Sequence, residues 1–262
     1  NLDKQKLGYS TKLLLENSDQ EKVWNIRKAG LGLMMSTPGD YKAIPFVEDT
    51  AVDPKFFPAF VKEFDQIVRS YDTTAGYYGH ASVGCMHIRP LINLKMQDEV
   101  NKMKLIASDI TDLVLKYGGS ISGEHGDGLA RSYWNKKMYG DKIYNAFREL
   151  KEVFDPHNLM NPGKITDSQD IDQNLKIGPK YKTFDIDTGF NFTKEKGFAS
   201  AIEMCNGQGA CRKVTSGVMC PSYMVTRDEE LSTRGRANAL RGLISGQLPN
   251  SSWKDKNLFR IL

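Results

Sequence analysis

Cysteine and histidine are both scarce in this chain of 262 residues, with four of each, and the scarcity is uneven. Four cysteines are too few for a secreted disulfide scaffold, and three of them crowd into residues 205–220, as metal or cluster ligands in a reducing compartment would. No apolar run approaches the roughly 20 residues that a membrane-spanning helix needs. An excess of one charge is also missing. The net +4 is small and scattered, which argues against a nucleic-acid surface but suits anionic small molecules. The cytosol is the expected compartment, with weak peripheral contact at an acidic inner membrane face as the variant that this balance allows. At 40% hydrophobic and 26% charged residues the chain is neither disordered nor membrane-spanning, and its length allows one substantial core plus a smaller satellite. It opens on Asn1 without an initiator Met or signal peptide and stops just after a helical pattern, and so reads as a fragment.

Strand and helix patterns alternate after residue 40. Residues 1–40 mix polar helix signals with the Gly-rich apolar stretch Ala29 to Met35, and Thr37 to Asp40 spells a turn. Ala43 to Phe46 is a short strand candidate, and Pro54 to Tyr71 carries Phe57, Phe60, Val61, Phe64 and Ile67 at helical spacing. Tyr77 to Leu94 is strand-rich with a break near Gly84, Asp98 to Tyr117 is an amphipathic helix, and Ser120 to Ser122 is a further strand candidate. A third amphipathic helix, Tyr139 to Phe154, is stopped by Asp155-Pro156. This order predicts an α+β fold, with an antiparallel sheet and covering helices. Residues 165–183 are polar and aperiodic, as a linker would be. Beyond them lie a helix candidate at Lys194 to Met204, the cysteine cluster, and a basic helix at Thr233 to Ile244.

Three of the four histidines lie in two glycine-flanked segments, Gly79 to His87 and Ser122 to Gly128. Residues seven apart on one unbroken strand point to opposite faces, so His80 and His87 share a site only if the chain turns between them, and Gly84 supplies the turn. Two imidazoles and a carboxylate, His80, His87 and Glu124, make a ligand set for a divalent cation such as zinc with a position left open. A metal there would hold the hydroxyl and carboxylate of a 2-hydroxyacid, and the neighbouring His125 would take the proton as general base. Taken singly, each histidine is as well explained by a backbone hydrogen bond at a strand end; the clustering favours the site.

These segments, together with the run Asp155 to Lys164 that contains Asn161-Pro162-Gly163-Lys164, resemble the C-terminal domain of FAD-linked oxidases, which include D-lactate, glycolate and D-2-hydroxyglutarate dehydrogenases. The resemblance covers about residues 20–165. It implies a ferredoxin-like substrate domain over 1–165, metal ligation by His80, His87 and Glu124, His125 as the base, and Asn161 close to a flavin that another domain mostly carries. It also implies hydride transfer from a small anionic 2-hydroxyacid to FAD. Arg27 and Lys42 match cations that hold the substrate carboxylate in D-2-hydroxyglutarate dehydrogenase-like members; as lone cations they equally fit a solvated surface. Arg89 stands where many relatives have Asn. It either binds a second substrate carboxylate, making the substrate a dicarboxylate, or pairs with an acidic side chain.

Cys205, Cys211 and Cys220-Pro221 resemble a ferredoxin-type 4Fe-4S site, and Thr226 to Ala237 is similar to bacterial proteins in which the oxidase continues into an iron–sulfur domain. Gln208 occupies a usual cysteine position, and the gap from Cys211 to Cys220 is longer than in small ferredoxins. The implied layout is a linker over 166–192 and a mostly helical iron–sulfur domain over 193–262. Cys205 and Cys211 would serve one cluster and Cys220 another, with electrons passing to a quinone, a cytochrome or a soluble carrier; in the isolated chain all three equally read as free or partly oxidised thiols. Cys85 reads as a small buried residue. Two other classes remain open: a metal-dependent hydrolase using the same histidines, and a non-catalytic electron-transfer module.

Overall fold

The computed structural model describes residue 4 and residues 8–262; positions 1–3 and 5–7 of the expected 1–165 domain lie outside the described residues. The elements follow in the order α1 (Asn17–Met35), β1 (Lys42–Ala43), β2 (Thr50–Ala51), α2 (Phe57–Ser70), β3 (Ala75–His80), β4 (Cys85–Ile92), α3 (Gln97–Lys116), α4 (Gly128–Arg131) and α5 (Asn135–Phe154). The remainder is helical: α6 (Phe198–Glu203), α7 (Pro221–Thr226), α8 (Thr233–Ile244) and α9 (Lys256–Ile261). The expected mixture of helices and antiparallel sheet is what the chain forms. Among the described residues, no helix is long and apolar enough to cross a membrane.

Strand β4 organises the sheet. β3 pairs with it antiparallel from Ala75↔Pro90 to His80↔Cys85. On its other edge β2 pairs at Met86 and Cys85, β1 pairs at Ile92 and Leu91, and Ala51 bridges onward to Ser120. The Ser120–Ser122 strand candidate is therefore reduced to one bridge, and of the Ala43–Phe46 candidate only Ala43 is strand, as the second residue of β1. Alternation along β4 sends Met86, Ile88 and Ile92 to one face, where they join Phe60, Phe64 and Val68 of α2 and Val100, Met103, Ile106 and Ile110 of α3 in the core. Cys85, His87 and Arg89 take the opposite face. Cross-strand partners share a face, so Gly76, Tyr78 and His80 join them there.

The β3–β4 connection is a single 3₁₀ turn, Ala81–Val83, closed by Gly84 at φ +71°. A Cβ on Gly84 would lie 1.8 Å from the Val52 carbonyl oxygen, so both dihedral and space demand glycine. Helix α1 lies over the histidine face, with the Met34 sulfur 2.5 Å from where a Cβ of Gly76 would stand. Within α5, Gly140 leaves the helical region at φ 73°, ψ 167°, so the periodicity seen in the sequence spans a break. Gly197 at φ +112° likewise splits the Lys194–Met204 helix candidate into a 3₁₀ turn and α6.

Residues 165–183 carry neither helix nor strand, yet they are held down. Ile171 is buried in the core, and Asp170 and Asp172 both pair with Lys104 of α3 at 2.7 and 3.0 Å. Gly84→Ala tests the hairpin: backbone strain plus collision with Val52 should lower stability by about 2–4 kcal/mol. A urea midpoint equal to wild type would show that the hairpin does not depend on this turn.

Candidate metal centre and adjoining cavity

The hairpin brings His80 and His87 to one face, and the 122–126 loop crosses that face from the β2 edge. Glu124 Oε1 lies 2.9 Å from His87 Nε2 and 3.5 Å from both His80 Nε2 and His125 Nε2. Three imidazole nitrogens thus converge on one carboxylate oxygen. His87 is almost fully buried, whereas Glu124 and the other two histidines are about two-fifths exposed, so the cluster has a closed back and an open front. The His87 and His125 rings stack at 4.7 Å with 10° between planes, and His80 meets His87 edge-on at 5.5 Å. Burial holds the pKa of His87 below its ordinary value, which favours the neutral ring that ligates metal.

Two acids that the sequence reading left unassigned build this arrangement. The chain between Ala43 and Thr50 spans residues 44–49, six residues, opposite residues 87–90 of β4, four residues; the excess bulges out and carries Glu48 and Asp49. Asp49, at φ +80° and 0% exposed, accepts the backbone N–H of His125 at 2.7 Å and of Glu124 at 3.1 Å. It also accepts the Ser122 hydroxyl at 3.4 Å. Asp49, His87, Glu124 and His125 offer atoms within 4.8 Å of one another. The Asp49 oxygens are already engaged by these donors, and His80, outside this group of four, reaches Glu124 Oε1 at 3.5 Å. Glu48 accepts Arg89 at 3.0 Å and lies 2.9 Å from His125 Nδ1, and Arg131 donates to its backbone carbonyl. A buried acid leaves no periodic mark in a sequence; the one available signal was an adjacent acid pair closing an apolar segment. Cys85 is buried beside Asp49, its thiol pushed up to about 12 chiefly by burial.

The three expected substrate cations part company. Arg27 reaches the site: one guanidinium nitrogen is 3.4 Å from His80 Nε2, and its plane stands 5.7 Å from the Tyr78 ring. Arg89 is 7% exposed and committed to Glu48, the acidic-partner alternative. Lys42 pairs in register with Ile92, five residues along β4 from His87, or roughly 17 Å. It bonds the Met35 and Thr37 carbonyls and lines a separate cavity with Lys95, Glu203 and Cys205. Burial there lowers its pKa. Lys42, expected as a substrate cation, thus lines that second cavity.

Asn161, at φ +48°, and His125 line one open cavity of about 920 Å³ whose walls include Tyr139, Phe147, Leu150, Phe154 and Met160. The turn that places Asn161 hangs on Asp155, which accepts the Leu159 N–H at 2.9 Å and the Met160 N–H at 2.8 Å. In the C-terminal part, Cys211 and Cys220 are buried with Tyr223, and Cys205 is half-buried. Burial pushes the Cys220 thiol up, but hydrogen bonds from the Tyr223 backbone and from Ser222 and Thr233 prevail and bring it down to about 7.

Two outcomes follow. Asp49→Ala should cost about 3 kcal/mol, through the lost bonds to a buried charge, and should speed hydrogen exchange at the Glu124 and His125 amides; unchanged protection there would remove Asp49 from the account. The pairing with Lys151 and the two N–H bonds hold Asp155 down at about 2, so what it adds to the turn is complete above the ordinary value of 3.8 and is lost as pH falls through about 2. Amide shifts of Leu159 and Met160 should titrate near that lower value, and a midpoint near 4 would contradict it.

Known proteins match most of this sequence. A family model described as FAD linked oxidases, C-terminal domain, matches residues 5–165. The D-2-hydroxyglutarate dehydrogenase of Pantoea ananatis is 34% identical over 222 residues, 84% of this chain and 22% of that protein. The protein of the same name from Pseudomonas putida is 35% identical with the same coverage. The glycolate oxidase subunit GlcD of Bacillus subtilis is 31% identical over 125 residues, 47% of this chain and 26% of that protein. The chain spans about a fifth of the length of the dehydrogenases it matches over 84% of its own. By its match over residues 5–165, this chain belongs to the FAD-linked oxidase family, within the C-terminal domain of that family.

Proposed function

We propose that the chain is the substrate-binding part of an FAD-dependent D-2-hydroxyacid dehydrogenase of the D-lactate or D-2-hydroxyglutarate class, oxidising the hydroxyacid to a 2-oxoacid. In this reading residues 1–165 form a ferredoxin-like substrate domain, 166–192 a tether and 193–262 the start of an iron–sulfur domain. The observation that carries it is the convergence of three Nε2 atoms on Glu124 at a half-open site beside Arg27. The sheet order Ser120, β2, β4, β3, with α2 and α3 on one face, supports the ferredoxin-like description.

His80, His87 and Glu124 would hold the divalent metal, zinc by its preference for imidazole and carboxylate donors, and the buried neutral His87 fits that donor chemistry. The metal supplies Lewis acidity that lowers the pKa of the substrate hydroxyl. His125 receives the hydroxyl proton at Nε2, the ring nitrogen turned towards Glu124. Arg27 binds the substrate carboxylate at the open front, the one of the three cations placed to do so. FAD, bound mainly by another domain, supplies the hydride acceptor. His125 and Asn161, which line one cavity with apolar walls, would be the residues of this chain beside its ring system. The same reading gives Cys205, Cys211 and Cys220 the onward passage of electrons through 4Fe-4S chemistry to a quinone, cytochrome or soluble carrier. Three thiols are one short of a four-thiolate set, so the fit is partial and no step is derived through them.

Chain purified without added metal should carry near-stoichiometric zinc, manganese or iron by mass spectrometry, and a Glu124→Gln, His87→Ala double variant should lose it. Equal trace metal in both would sink the centre. In the longer protein, His125→Asn should slow anaerobic flavin reduction by a D-2-hydroxyacid about 10²- to 10⁴-fold; wild-type rates would remove His125 as the base.

A further inference from the structure

Glu48 belongs to none of the roles given above, and its placement is unusual. Its side chain is about nine-tenths buried behind the two stacked imidazoles, on the side away from Glu124. Oε1 lies 2.9 Å from His125 Nδ1, and Oε2 lies 3.8 Å from His87 Nδ1. His87 Nδ1 is buried without a hydrogen-bond partner, beyond bonding reach of Oε2, and its Nε2 is the ring nitrogen engaged by Glu124 at 2.9 Å. Arg89 Nη2 holds Oε2 at 3.0 Å, and Arg131 Nη1 stands 3.8 Å from Oε1.

We propose that Glu48 is the positioning residue of the base: its Oε1 takes the Nδ1–H of His125, so that His125 Nε2 is left bare to receive a proton. The inference deepens the proposed function and rests on its assignment of His125. Which ring nitrogen of a histidine carries the proton is set by what the other nitrogen bonds to, and a carboxylate behind a ligating imidazole fixes both its tautomer and its orientation. Arg89 acquires a reason through this contact. With its guanidinium on Oε2, the carboxylate is turned so that Oε1 remains for His125.

The test is a long-range ¹⁵N–¹H correlation spectrum of the imidazoles in the metal-free chain at a pH where they are neutral, followed by zinc titration. Wild type should show His125 protonated at Nδ1. In Glu48→Gln His125 should become a tautomer mixture while His80 and His157, which do not touch Glu48, keep their signals and report the fold. An Nε2–H tautomer of His125 in wild type would overturn the proposal even if the variant failed to fold, and so would an unchanged tautomer in a folded variant. An Nδ1–H tautomer of His125 in a wild-type chain that takes up no zinc would leave the role of Glu48 standing and refute the metal centre instead.

Discussion

A fully buried carboxylate has to be surrounded by donors, and at Asp49 that requirement shapes everything around it. Transfer of an unpaired carboxylate into a protein interior is costly. The donors that meet the need are the backbone N–H groups of Glu124 and His125 and the hydroxyl of Ser122. The loop that carries Glu124 is therefore fastened to the edge of the sheet by its own main chain. Glu124 then extends across the histidine face of β3 and β4 without a helix or strand of its own. The positive φ of Asp49 belongs to the same bargain: the bulge turns the side chain inward, where a regular strand would have carried it past the loop.

Glu48, one residue earlier, does the complementary work on side chains. Asp49 organises a loop through main-chain donors, while Glu48 collects Arg89 and His125 and receives Arg131 at its carbonyl. Residues from the bulge, from β4 and from the segment after Gly126 thus meet behind the site, and the open front is left to Arg27 from α1. Rigid support behind and access in front is the division a metal-assisted reaction needs, because ligands must hold their geometry while a substrate enters. The adjoining cavity, bounded by the apolar face of α5, opens beside His125.

Much of this was legible in the sequence. The spacing of Phe60, Phe64, Val100, Met103 and Ile106 gave two helices and their buried faces, and α8 spans Thr233–Ile244 as expected. The turn at Gly84, needed for His80 and His87 to share a face, is present with the positive φ that glycine allows. What could not be read depends on register and burial. Nothing local distinguishes Glu48 and Asp49 from solvated acids, because their partners lie about 40 to 80 residues away in sequence. That Lys42 lies beside Ile92 and lines a second cavity follows from strand register, which the sequence does not display. Arg89 had two readings, and only the presence of Glu48 across the bulge separates them. The break at Gly140 escaped notice because Tyr139 and Ile143 keep helical spacing across it, and that at Gly197 because it follows a charged run with no period to interrupt.

The measurement that bears most directly on this account is anomalous diffraction at the zinc edge from crystals of the chain grown with zinc. One strong peak about 2.0–2.2 Å from His80 Nε2, His87 Nε2 and a Glu124 oxygen is the predicted result. Zinc found only among Cys205, Cys211 and Cys220, with the histidines and Glu124 bare, would contradict it.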